Sequence, residues 1–442
     1  MKKLIALLLA LVMVIGLVAC GAKEEAAAPA ATADAAPAAT EAAKEEASGE
    51  VAKLNIWLPP LSIDEAADKP FWAAQFEAFE AENNCEIEVT IVPWGNYVEK
   101  YMTGIVGGNG PDVGYIWADM FPDFVSMGAL TEFSDRLTDA HRETLMFLDQ
   151  GIMLGGQYGM PFIVGNPRII YYNADILAAE GIELDGIAPI TWEEFIDIAQ
   201  KVTKDTDGDG ATDQWALTMP WGHTGYGIMQ EIFFPYLLQA GGEIYNPEAT
   251  EAIWASEAGI KAANFIHDLV YKYEVCPTTC TGMTRDDAID AFKNGTSAFL
   301  MDNTSGAKLI GDAVNWKYIV CLEDQSAQAT GVVDQLVLMS GTEYPDLAWK
   351  LMEFMVSADV QTAMHTELQP YAPINADAEY KDNPIFEEMY AEYSDLFNFE
   401  KAAPAAADTK DYLYKQLQKF MMNELTAEEA LQNAQDYANS VM

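Results

Sequence analysis

The densest run of chemistry-bearing side chains in the sequence is Asp205-Thr206-Asp207-Gly208-Asp209-Gly210-Ala211-Thr212-Asp213. With Asp205 as position one, carboxylates stand at one, three, five and nine, Gly210 at six and Ala211 at seven. In a calcium loop, position seven contributes its backbone carbonyl. A hard cation is wrapped by such oxygens, and Gly at six permits the sharp turn. Position twelve is Ala216 rather than a bidentate Glu, so Gln214 or a distant carboxylate must complete the shell. Carboxylates packed this closely repel each other. Structural Ca2+ is therefore expected here, against the alternative of a metal-free Asp/Gly turn.

A second group of residues suits ligand recognition. Trp57, Trp94 and Trp117 each follow or end a predicted strand. In parallel α/β sheets, strand carboxyl ends share one binding edge. Trp221, His223 and Tyr226 lie in a Gly-rich aromatic loop, PWGHTGY, which reads as a second stacking surface, against the alternative of a packed turn. Asp302-Asn303 ends an apolar strand and Asp334 interrupts another. A carboxylate there is costly unless a ligand, a donor or water meets it. Cys276 and Cys280 have a spacing that either closes a small loop or leaves two thiols. Without paired His nearby, zinc is not expected.

Charge narrows the field. The 442 residues carry 24 Lys plus Arg against 69 Asp plus Glu, a net charge of −45. Such a surface repels nucleic-acid phosphates. Only Arg136, Arg142, Arg168 and Arg285 are arginines, which argues against a multiply phosphorylated ligand. Hydrolysis of a glycan would need two carboxylates across the scissile bond. So many acids leave a secreted glycoside hydrolase open as the rival reading.

Elements must position these groups. Lys2-Lys3 followed by the apolar run Leu4 to Val18 reads as a signal peptide. Leu17-Val18-Ala19-Cys20 resembles the lipobox of bacterial lipoproteins, which implies lipidation at Cys20 and removal of the residues before it. Residues 21–50 are Ala-rich with no larger apolar side chain, and read as a disordered tether. The body begins near Val51. Strands are expected at 53–58, 86–92, 112–117, 168–173, 296–301 and 332–339. Helices are expected at 71–82, 94–106, 174–180, 192–202, 228–240, 257–273, 284–293 and 344–357, with two more after 408. Strands alternating with helices point to α/β structure.

The order of KLNIWL at 53–58, GNGPDVGYIWADMF at 108–121, GALTEF at 128–133, GGQYGMPF at 155–162, IIYYNADIL at 169–177, PITWEEF at 189–195, FKNGTSAFLM at 292–301, AWKLMEFM at 348–355 and TAEEAL at 426–431 resembles the family 1 extracellular solute-binding proteins. These are lipoprotein components of bacterial ABC sugar importers, related to maltose-binding protein. The resemblance implies a two-lobe periplasmic-binding-protein-like fold with a ligand cleft and a multi-segment hinge. One lobe would comprise 51–164 plus 330–357, the other 165–329 plus 358–442.

The resemblance also implies a site and partners. By family position, Trp117 becomes a stacking platform and Asp119 a hydroxyl acceptor. Asn166 stands where maltose-binding protein has a ligand-contacting Glu. Glu231 matches another ligand-binding Glu, with Phe233 beside it. Arg168 is read as a salt-bridge partner near the cleft. The expected partners are a carbohydrate ligand and ABC permease subunits, with the membrane reached through the lipid anchor only, no nucleic acid, and a monomeric chain that catalyses nothing. A polyamine or other non-sugar solute is the alternative ligand.

Overall fold

A computed structural model describes residues 51–442 other than 63–64, 223–227, 369–370 and 380–384. The signal peptide, Cys20, the tether, His223 and Tyr226 lie outside the described residues. The remainder is α/β.

One sheet is built on Ala52–Leu58. Cys85–Ile91 runs parallel beside it through seven residue pairs, and Val113–Ile116 lies parallel on its other side. The long strand Ala329–Leu338 is antiparallel to both Val113–Ile116 and Gly159–Gly165. Every residue of Gly159–Gly165 is buried, as expected for a strand covered on both faces. The second sheet centres on Arg168–Asn173, which is antiparallel to Ser297–Asn303 and to Trp316–Ile319. Trp215–Leu217 adds a parallel edge.

Each sheet has its own core. The first gathers Leu54, Ile56, Trp72, Phe76, Phe162 and Leu336. The second gathers Phe195, Phe234, Trp254, Phe299 and Leu431. A smaller third cluster, including Tyr171, Phe292, Leu300 and Phe386, contains alternate residues of the same central strand. These cores are the two lobes. The chain passes between them at Gly165-Asn166, where both residues have positive φ, 86° and 41°. Only the glycine adopts this conformation without strain.

Local chemistry explains most boundaries. Thr191 and Glu194 form a reciprocal capping box ahead of Trp192–Val202, and Thr426 and Glu429 do the same ahead of Ala427–Val441. The buried stretch near Pro235 splits into Met229–Ile232 and Phe234–Gln239 at Phe233, which leaves helical geometry. Pro235 has no N–H for the Glu231 carbonyl four residues back, and its ring would crowd that carbonyl in a continuous helix. Two expectations are corrected. The first helix is Glu65–Asn83, so Pro70 lies inside it rather than at its start. The Glu-Ala-Ala-Asp run ahead of the proline extends the helix, and Asp68 anchors the preceding loop by accepting from the Leu61 and Ser62 N–H groups. The other correction concerns 358–442. Val360, Met364, Leu368, Ala372 and Ile374 pack in the first core, not the second. The buried amide of Gln361 ties them there, donating to the Phe162 carbonyl and accepting from the Ile374 N–H.

Candidate functional site

A cavity of about 360 Å³ opens between the two main cores. Three sets of elements build its wall. From the first sheet come Tyr115, Trp117 and Asp119, at and just beyond the carboxyl end of Val113–Ile116, with Trp94 entering from the loop after Cys85–Ile91. The crossing segments contribute Asn166, Arg168 and the Gly331–Asp334 stretch. Ile228, Gln230, Glu231, Arg285 and Glu400 close the far side, and Tyr371 completes the lining.

Aromatic planes occupy one wall. Trp94 and Trp117 have ring centroids 5.7 Å apart, Tyr97 packs behind both, and Trp94 is 49% exposed. An open indole face of this kind can stack on the apolar face of a sugar ring.

The opposite character is charge. Lys410 bonds Asp119 at 2.7 Å and Glu400 at 2.5 Å, with all three side chains at least nine-tenths buried. Asp119 belongs to the first lobe, and Lys410 to a helix packed in the second core. Glu400 also accepts from Gln230 and Tyr245. Arg285 forks onto Asp302 through two N–H···O bonds of 2.9 Å. Arg168 approaches Glu231 at 3.9 Å and donates to the Asn166 carbonyl. Arg168 Nε and Glu231 Oε2 are buried with no hydrogen-bond partner. Tyr115 donates to Asp334 Oδ2 at 2.5 Å. Burial pushes the Asp334 and Glu231 carboxyls up to about 7 despite nearby Arg168.

Of the sequence-predicted residues, the cavity brings together Trp94, Trp117, Asp119, Asn166, Glu231 and Asp334. Others are placed elsewhere. Trp57 is buried edge-on against Tyr101, and its other face meets Lys100. Trp221 and Phe233 are core residues, with the Trp221 carbonyl accepting from Tyr414. Asp302 is fully buried behind the wall, held by Arg285, because a strand-end acid without solvent requires a cation. Asn303 caps a turn by accepting from Ser305. Arg168, read as a salt-bridge partner, both approaches Glu231 and lines the cavity. Tyr115, Gln230, Arg285, Tyr371 and Glu400 were not foreseen. The readable signal was Lys410. With Ala406, Leu413, Tyr414 and Leu417 buried around it, it sits on the apolar face of its helix, where a lone lysine needs an acid.

Away from the cavity, Asp205, Asp207 and Asp209 each offer an oxygen within 4.8 Å of the others. Asp205 accepts from the N–H groups of Gly210 and Gly208, which hold its carboxyl below the usual range. Asp213 instead accepts from the N–H and hydroxyl of Thr206. Cys276 and Cys280 are buried free thiols.

Comparison with known proteins places this geometry. A family profile described as bacterial extracellular solute-binding protein matches residues 74–389. A binding protein of Brucella abortus is 25% identical over 351 residues, 76% of this chain and 79% of the relative. Among solved structures, a tagatose-bound ABC transporter solute-binding protein of Thermotoga lettingae superposes with a TM-score of 0.73 at 22% identity, covering 88% of this chain and 99% of that one. The maltotriose-bound maltose/maltodextrin-binding domain of Bdellovibrio bacteriovorus gives 0.71 at 20% identity, with the same coverage of both chains. A Listeria monocytogenes ABC substrate-binding protein in complex with cycloalternan gives 0.70 at 21%, again covering 88% and 99%.

Proposed function

The chain belongs to the bacterial extracellular solute-binding protein family, and from that premise we propose that it captures a sugar or short oligosaccharide by closure of its two lobes and delivers it to an ABC transporter permease. The observation that carries this reading is the wall of the interlobe cavity. Trp94 and Trp117 offer aromatic planes, while Glu231 Oε2 and Arg168 Nε are a buried acceptor and donor with no partner of their own. One sugar hydroxyl can donate to the first and accept from the second, removing the cost of leaving both unmade. A volume of about 360 Å³ suits a small solute. Tagatose, maltotriose and cycloalternan, held by the structures of similar fold, are consistent with such a ligand. Capture requires no bond to be made or broken. In this reading Cys20 carries the lipid that keeps the protein at the outer face of the cell membrane.

A thermal-shift screen of mono- and oligosaccharides tests the proposal. A true ligand at about one hundred times its Kd adds about 2.7 kcal/mol of stability, so its unfolding temperature rises measurably. If amino acids or polyamines stabilise the protein and no carbohydrate does, the sugar reading is wrong.

The same proposal includes structural Ca2+ at 205–213, supported by the converging oxygens of Asp205, Asp207 and Asp209. The cation would pin the loop between Trp192–Val202 and Trp215–Leu217. Calcium is expected to raise the unfolding temperature of the parent protein and to leave an Asp207→Ala, Asp209→Ala double variant unchanged. No calcium response in the parent would overturn this part.

A further inference from the structure

The charges around the cavity do not balance. In its wall and directly behind it stand five carboxylates, Asp119, Glu231, Asp302, Asp334 and Glu400, and three cations, Arg168, Arg285 and Lys410. Arg285 is committed to Asp302 by its fork. Lys410 is shared between Asp119 and Glu400. Arg168 is the cation near Glu231. Among the described residues no cation lies within ion-pair distance of Asp334, whose hydrogen bond comes from the Tyr115 hydroxyl to a single oxygen. The charged and phenolic groups acting on Asp334 include Tyr97, Tyr115, Tyr371, Asp119 and Arg168, so an acid and three phenols stand near it with one arginine. An isolated buried carboxylate is unfavourable in a low-dielectric site unless a cation arrives.

Resting on the sugar reading above, we propose that the captured solute is an amino sugar whose ammonium group is received by Asp334. The ammonium supplies the missing positive charge. Tyr115, Tyr371 and Trp94 line the same cavity, and aromatic rings near a cation favour it. The sugar hydroxyls then go to Glu231 Oε2 and Arg168 Nε, the unpartnered acceptor and donor. A ligand bearing a carboxylate is disfavoured, since the cavity already holds surplus acid. Burial that pushes Asp334 up to about 7 fits a group waiting for a cation, because the arriving ammonium favours its ionised form.

Isothermal titration of the full chain at pH 7 tests this with matched sugars. Glucosamine, galactosamine and mannosamine are set against glucose, galactose and mannose, and the β-1,4 glucosamine disaccharide against its N-acetylated form and cellobiose. At least one amine is expected to bind ten-fold or more tightly than its hydroxyl counterpart. Asp334→Asn, which is close in shape, should keep the fold and reduce that preference to within two-fold. The inference is overturned if no amine binds more tightly than its hydroxyl or N-acetyl counterpart, if Asp334→Asn keeps the preference, or if no amino sugar binds. The first two outcomes leave sugar capture standing. Binding of spermidine with no sugar bound would overturn sugar capture as well.

Discussion

A Lys410→Met variant is expected to unfold about 5 °C below the parent. The lysine is buried between Asp119 and Glu400, themselves buried, and among the described residues no other cation is paired with either. Burial opposes its charge, but the two carboxylates more than compensate and hold its ammonium above the ordinary range. Replacing it with an apolar chain of similar length preserves volume and leaves two acids facing one another in a dry site. Removing one partner of such a cluster costs about 3–5 kcal/mol. Unfolding entropy of about 2.1 cal/mol/K per residue converts about 4 kcal/mol into about 5 °C for a body of this size. The same bond joins the lobes, since Asp119 comes from the first and Lys410 from the second. Binding should therefore weaken along with stability. Adding Asp119→Asn and Glu400→Gln to Lys410→Met removes the stranded charge and should recover most of the lost stability. An unfolding temperature within 1 °C of the parent would show that the acids find protons or water without the lysine.

The contrast between Lys410 and Trp57 shows what was legible beforehand. Strand and helix placement followed from short-range patterns: alternation in Cys85–Ile91, the capping box at Thr191, the apolar run of Arg168–Asn173. These depend on neighbours in sequence, and the structure keeps them. Trp94 and Trp117 reach the cavity from strand ends, but Trp57 turns into the core because Tyr101 and Gly104 of the helix Tyr97–Gly107 leave it a slot. The Trp57 ring would lie 2.5 Å from a Cβ placed on Gly104. That slot is made by tertiary packing, and nothing local to Trp57 signals it. Glu400 and Tyr371 were hidden for a related reason. Tyr371 follows the helical turn Met364–Leu368 and Glu400 follows the three-residue strand Phe397–Phe399, elements too short for a period to reveal which side chain faces inward. The misassigned 360–374 segment shares this cause. Its apolar residues could serve either core, and the amide of Gln361 fixes the choice through contacts to the Phe162 carbonyl and Ile374 N–H that are remote in sequence.

Asp334, in the cavity wall with no cation paired to it among the described residues, should also write itself into the pH dependence of the ligand-free protein. In the unfolded chain Asp334 releases its proton near its ordinary value of 3.8, whereas in the folded protein burial raises this to about 7, against the lowering influence of Tyr115 and Arg168. Below about pH 4 both states hold the proton and the group is neutral in the balance. Between there and about 7 the folded state keeps a proton that the unfolded state has lost. Stability must then fall as pH rises through that window, and level off above it. A shift of this size corresponds to about 4 kcal/mol across the window. Glu231, raised from 4.5 to about 7 chiefly by burial, acts in the same direction. The surface acids Asp205, Glu194 and Asp287 are held below their ordinary values by hydrogen bonds, so their contribution is lost only at lower pH, outside this window. Burial raises the Asp302 and Glu400 carboxyls as well, so the unfolding temperature without sugar should drop between pH 5 and pH 7.5, and Asp334→Asn should remove a measurable part of that drop while making the protein more stable at pH 7.5. Comparing variant with parent cancels every contribution the two proteins share. Parallel curves for the two proteins would mean that Asp334 is solvated or ionised throughout. The same result would remove the electrostatic reason for expecting an ammonium beside it.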